Sequence, residues 1–89
     1  MLPHAAHIIA IGDELLAGRT QDTNSNYLAL ALHQAGLPVV GVQTVPDDAD
    51  AIRTALDRAL PHAALVLVTG GLGPTKDDIT KHTLAQYFG

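Results

Sequence analysis

The residues able to do chemistry in this sequence fall in short stretches: Gly12-Asp13-Glu14, Pro46-Asp47-Asp48, and the run Gly70-Gly71-Leu72-Gly73-Pro74-Thr75-Lys76-Asp77-Asp78-Ile79-Thr80. The last passes from an apolar strand through a glycine turn to paired carboxylates at the mouth of a helix. Glycine takes positive φ freely and lets a ligand approach bare backbone. The amides of Gly70, Gly71 and Gly73, leading through Pro74 and Thr75 into a helix N-terminus, therefore suit a phosphate. Lys76 and Arg19 supply positive charge, and Thr80 a hydroxyl. Asp13, Glu14, Asp47, Asp77 and Asp78 would repel such an anion if left uncompensated in a partly dry cleft. Mg²⁺ or another divalent cation removes the conflict, because it takes oxygen ligands and bridges carboxylates to phosphates.

These stretches must be brought together by the elements between them. His7-Ile8-Ile9-Ala10-Ile11 is a continuous apolar run of the kind found in strands buried on both faces. Residues 12–22 read as a loop past its carboxyl end. Asp22 or Thr23 caps a helix over 24–35, with Leu28, Ala31, Leu32 and Ala35 as its buried stripe; Gly36 and Pro38 stop it. Asn24 sits in the first turn, as a capping residue or a ligand contact. Residues 37–45 form a second strand, with Pro38 marking an edge or a less completely covered position. Asp47 is well placed as N-cap of the next helix, which spans 48–60 and buries Ile52, Ala55, Leu56, Ala59 and Leu60. A third strand covers 65–69, and a last helix begins near Thr80.

Strands alternating with helices predict an α/β fold with a parallel sheet and right-handed crossovers. With the first strand between the other two, the loops after the first and third strands face each other across a switch point. The turn at Asp47 closes the same edge. Asp13, Glu14, Asp47, Asp77 and Asp78, with Gly12, would then surround one cleft.

Composition narrows the classes. An 89-residue chain makes one small domain, and 47% apolar residues support a packed core. The net charge of −4, with no basic stripe, argues against nucleic acid. The absence of cysteine leaves no disulfide framework or thiolate nucleophile. No apolar run is long enough for a membrane span, and no signal-peptide pattern is present, so a cytoplasmic protein is expected. His4 and His7 alone make a poor metal site. The glycine turn matches neither the dinucleotide fingerprint nor the P-loop, and no nucleophile elbow is present.

In combination, Gly12-Asp13-Glu14-Leu15-Leu16, Asp22-Thr23-Asn24, Val45-Pro46-Asp47-Asp48 and Thr69-Gly70-Gly71-Leu72-Gly73-Pro74-Thr75-Lys76-Asp77-Asp78-Ile79-Thr80 closely resemble the N-terminal domain of CinA. This competence/damage-inducible family belongs to the molybdopterin-binding, MoaB/MogA-like superfamily. The resemblance covers nearly the whole chain and implies a three-layer α/β/α fold. Residues 1–89 would hold the first βαβαβα half of that domain, without the amidase domain of typical CinA proteins. In the molybdenum-cofactor branch, the acids matching Asp47 and Asp78 matter for molybdopterin adenylylation. In the CinA branch, the resemblance implies ADP-ribose pyrophosphatase activity that depends on a divalent metal and is promoted by K⁺. Leu72 replaces the threonine usual in the MogA-type loop and agrees with the CinA type.

The implied reaction yields AMP and ribose 5-phosphate, with metal held by carboxylates from Asp13, Glu14, Asp47, Asp77 and Asp78, and with Asp78 orienting the attacking water. Catalysis by the 89 residues alone is not expected. Two other readings stand beside this one. One is molybdopterin binding or adenylyl transfer in molybdenum-cofactor assembly. The other is a non-catalytic fragment that binds a nucleotide or associates with its own copies through an uncovered sheet edge.

Overall fold

The computed structural model describes residues 4–18, 22–70 and 77–89, with Asp77 and Asp78 described by backbone alone. The elements run β1 (Ala6–Ile11), α1 (Asp13–Leu16), α2 (Thr23–Gln34), β2 (Val39–Val45), α3 (Ala49–Ala59), a 3₁₀ turn (Leu60–His62), β3 (Leu65–Gly70) and α4 (Asp77–Phe88). Among the described residues the strands form one sheet in the order β2-β1-β3, with both pairings parallel. The alternation of elements left this order open; with β1 in the middle, a switch point lies between β1 and β3.

The crossovers decide which face each helix covers. The connection from β1 to β2 runs one way across the sheet and that from β2 to β3 runs back. Right-handed crossovers therefore put α2 and α3 on opposite faces. On the α3 side, Ile9 and Ile11 pack with Ile52, Ala55, Leu56 and Ala59, while Val45, Val66, Val68, Leu84 and Tyr87 surround them. Helix α4 joins this layer, and its Tyr87 hydroxyl donates to Asp57 Oδ1 at 2.6 Å. On the other side α2 lies over β1 and β2, where Ile8 and Ala10 are fully buried.

Local chemistry explains where most elements stop. Asp22 caps α2, its Oδ1 accepting from the Ser25 amide at 3.0 Å. At the other end Gly36 takes φ 84°. The Leu37 amide then donates to Leu32 O and the Gly36 amide to His33 O, which satisfies the last carbonyls in the Schellman pattern. Gly70 is required twice over. Its φ is 83°, and a Cβ there would collide with the carbonyl oxygen of its β1 partner Ile11.

Several expectations from sequence are corrected. The segment after β1 is not all loop. Asp13–Leu16 forms one helical turn, favoured by acids at its positive end and followed by Gly18 at φ 74°. The α2 stripe is rotated: Ser25, Leu28, Ala29 and Leu32 are at least half-buried, whereas Ala31 and Ala35 are exposed. Alanine lies on several sides of this helix, so its apolar pattern does not single out one face. Leu60 leaves the α3 stripe because Pro61 turns the chain into the 3₁₀ segment, where Leu60 is exposed. Helix α4 starts at Asp77 rather than near Thr80, so Asp77 and Asp78 belong to its first turn. Lastly, Asp48 rather than Asp47 is the N-cap of α3. Asp48 has extended backbone angles, and its Oδ2 accepts from the Ala51 amide at 3.0 Å.

Candidate functional site

The loss of the capping role bears directly on Asp47, because capping was the simplest structural reason for an acid there. Asp47 lies just past the carboxyl end of β2, and two other connections reach it. Its backbone amide donates to Asp13 Oδ1 at 3.1 Å, which ties it to the segment after β1. Its Oδ1 accepts from Thr80 Oγ1 at 3.2 Å, which ties it to α4, the helix after β3. The ends of β1 and β2 are also joined directly, the Gly12 amide donating to Val45 O at 3.0 Å. The carboxyl edge thus converges on one acid.

The second oxygen of that acid is the unusual one. Among the described residues, Asp47 Oδ2 is buried and has no hydrogen-bond partner. A buried acceptor left unsatisfied costs about 1–3 kcal/mol, more when it is charged. A cation, or a protonated ligand group, would satisfy it. Ser25 Oγ, in the first turn of α2, is likewise buried without a partner among the described residues.

The other candidates divide into those the structure gathers and those it does not. Asp13 is exposed and joins Asp47 through the amide contact. Glu14 is exposed, and its carboxylate lies over Gly12, filling the space a Cβ there would take. Asn24 is an exposed residue of the first α2 turn. Thr80 is 1% exposed, so its hydroxyl faces Asp47 rather than an open cleft. Gly70 ends β3. Gly71, Leu72, Gly73, Pro74, Thr75 and Lys76, together with Arg19, lie outside the described residues. The turn bearing Asp77 and Asp78 is at the site through Thr80, although their side chains are not among the described groups. Among the described residues, no three His, Asp or Glu side chains cluster as a metal cage. The donor chemistry still fits a hard divalent cation, since carboxylate oxygen is its preferred ligand and Asp47 Oδ2 has no partner among the described residues.

Reading from sequence did not assign Thr80 to Asp47. Nor did it identify a polar contact deeper in the sheet, where Gln43 Nε2 donates to Ala55 O at 2.9 Å and lies 3.0 Å from His7 Nε2. The Ala55 carbonyl orients the amide nitrogen toward the ring, so His7 Nε2 must accept and the ring must be neutral. Burial, and then the nearby His62, hold the His7 pKa below its ordinary value of 6.5. Gly41 leaves room for this ring, since a Cβ there would meet it. One signal was available in the sequence: Gln43 is a polar residue on the same strand face as Gly41 and Val45.

Comparison with known proteins agrees with this architecture. Residues 7–89 match the family model described as a probable molybdopterin binding domain. A CinA-like protein of Chloroherpeton thalassium is 49% identical over 84 residues, covering 94% of this chain and 20% of that protein. A putative competence-damage inducible protein of Natranaerobius thermophilus is 46% identical over 79 residues, covering 89% and 20%. The chain thus spans about a fifth of the curated relatives it matches. Among solved structures, CinA from Thermoplasma acidophilum superposes with a TM-score of 0.89 at 40% identity, covering 97% of this chain and 51% of that one. The tungsten cofactor synthesizing protein MoaB from Pyrococcus furiosus superposes with a TM-score of 0.81 at 28% identity, covering 93% and 52%.

Proposed function

This chain belongs to the family of probable molybdopterin binding domains, and on that premise we propose that its carboxyl edge binds the pyrophosphate of ADP-ribose through a divalent cation. The full domain would then hydrolyse that pyrophosphate to AMP and ribose 5-phosphate. The observation that carries this reading is Asp47 Oδ2, buried and unpartnered among the described residues, on an acid whose amide is held by Asp13 and whose Oδ1 is held by Thr80. The kinship with proteins called CinA-like and Leu72 in the glycine stretch motivate the nucleotide substrate, which the resemblance to the CinA branch implies.

Asp47, with Asp13, Glu14, Asp77 and Asp78 as further carboxylate donors, would hold Mg²⁺ or a similar ion. When bound, such an ion neutralises phosphate charge and lowers the pKa of a coordinated water. Asp78 orients the attacking water and takes its proton. The water oxygen bonds to one phosphorus as the bond from that phosphorus to the bridging oxygen breaks. The amides of Gly70, Gly71 and Gly73, followed in sequence by Pro74 and Thr75, would orient the phosphates together with Lys76. Asn24 and Gly12 border the pocket, and K⁺ would add a further site for phosphate oxygen.

The test has two parts. ADP-ribose binding to this chain, titrated with and without Mg²⁺, should require the metal and be lost in Asp47→Asn. In a full-length CinA-like relative, the change equivalent to Asp78→Asn should abolish release of AMP. Metal-independent binding that survives Asp47→Asn would overturn the reading. A second reading, molybdopterin binding or adenylyl transfer, is favoured by the likeness to the Pyrococcus MoaB. Molybdopterin retention without turnover of ADP-ribose would select it. A non-catalytic binding fragment is the third reading. We also propose that copies of the chain associate, a view motivated by Val40 and Val42, half exposed on edge strand β2; sedimentation at a single monomer mass would refute it. Among the described residues no helix is long and apolar enough to cross a membrane, and a cytoplasmic setting remains part of the proposal.

A further inference from the structure

Helix α4 contains two buried threonines three residues apart, and they use their hydroxyls differently. Thr83, 2% exposed, donates back to the carbonyl of Ile79 at 2.6 Å. That is the common way for a threonine inside a helix to satisfy its hydroxyl. Thr80, 1% exposed, instead donates across the site to Asp47 Oδ1 at 3.2 Å. It is too buried to meet a substrate, the role that sequence assigned to it. A hydroxyl aimed at a carboxylate restricts the rotation of that carboxylate and decides which oxygen is taken.

We propose that Thr80 is a positioning residue for Asp47, its hydroxyl engaging Oδ1 so that Oδ2 is left for a cation. This rests on the reading of Asp47 as a metal ligand. It gives the loop after β2 and the helix after β3 a shared part in the site. The Asp13 contact to the Asp47 amide holds the backbone, and the Thr80 contact holds the side chain. Partners of metal-binding carboxylates typically contribute 10–100-fold to metal affinity.

The experiment is an Mn²⁺ titration in the presence of ADP-ribose, followed by water proton relaxation, with melting temperatures measured alongside. Thr80→Val keeps the shape and removes the donor; it should weaken Mn²⁺ about ten-fold. Thr80→Ser, which keeps the hydroxyl, should restore the parental value. Thr83→Val, which removes the neighbouring buried hydroxyl, should lower melting without changing Mn²⁺ affinity. If Thr80→Val fails to fold, Thr80→Ala replaces it, with the same expected loss and the same rescue by serine. Parental affinity in the Thr80 variants while Asp47→Asn loses Mn²⁺ would overturn the positioning role and leave the Asp47 reading standing. Equal Mn²⁺ binding by the parent and Asp47→Asn would overturn both.

Discussion

On the α3 side of the sheet, Ile52, Ala55, Leu56 and Ala59 are sealed against Ile9 and Ile11; on the α2 side, the middle strand is equally buried but the edge strand is not. Val40 and Val42 point to the α2 side and are 49% and 48% exposed, and α2 itself turns Tyr27 and Leu30 outward. The difference follows from dimensions. A helix is roughly 10 Å across, and strands lie about 4.8 Å apart, so one helix covers about two strands. The α3 face has α4 as well, whereas the α2 face is covered by one long helix. The sealed face therefore supplies most of the stability, and the site sits at the carboxyl edge where both layers meet.

Truncating the sealed face should have the largest effect. Leu56→Ala removes a side chain 2% exposed and should cost about 2–5 kcal/mol, read as a fall in denaturant midpoint. In a domain this small that loss approaches full unfolding. The matching truncation on the open face, Leu32→Ala, removes a half-buried side chain and should cost about 1 kcal/mol. Equal losses at the two positions would break the comparison.

Acid should act on the sealed face by a smaller increment. The folded-state pKa of His7 is lowered by burial and by His62, so on acidification the unfolded chain takes up its proton first. The stabilisation is complete above pH 6.5 and is lost as pH falls from there through the folded value. A protonated ring would also present a hydrogen to the Gln43 amide, which already donates. His7→Gln should remove that part of the pH dependence between pH 7 and pH 5, measured by urea titration; an unchanged slope would exclude His7. Smallest of all, Val42→Thr on the open face should change stability by no more than about 0.5 kcal/mol. If copies associate through this strand, the same variant should still lower their association in sedimentation.

How much was legible depended on how local the cause was. The α3 stripe could be read because its apolar residues recur on one side only, with Arg53, Asp57 and Arg58 elsewhere. The α2 stripe could be read only in part. Leu28 and Leu32 were correctly assigned, but alanines on several sides left the rotation ambiguous. The start of α4 was placed late because the acids at Asp77 and Asp78 read equally well as loop or as first turn. Of the proposed site, Asp13 and Asp47 do come together through the Asp47 amide. The glycine turn at 71–76 lies outside the described residues, and the metal and substrate assignments rest on the proposal.

The amino-acid sequence alone determined the alternation of strands and helices, their parallel pairing and the stop at Gly36. These follow from periodicity, caps and backbone sterics acting over a few residues. Only the tertiary structure decided between Asp47 and Asp48. The two acids are adjacent and equally able to cap, and the choice turned on which one Asp13 and Thr80 reach from distant parts of the chain. Tertiary structure likewise made the two threonines of α4 different, because a hydroxyl's partner depends on what another element brings within 3.2 Å.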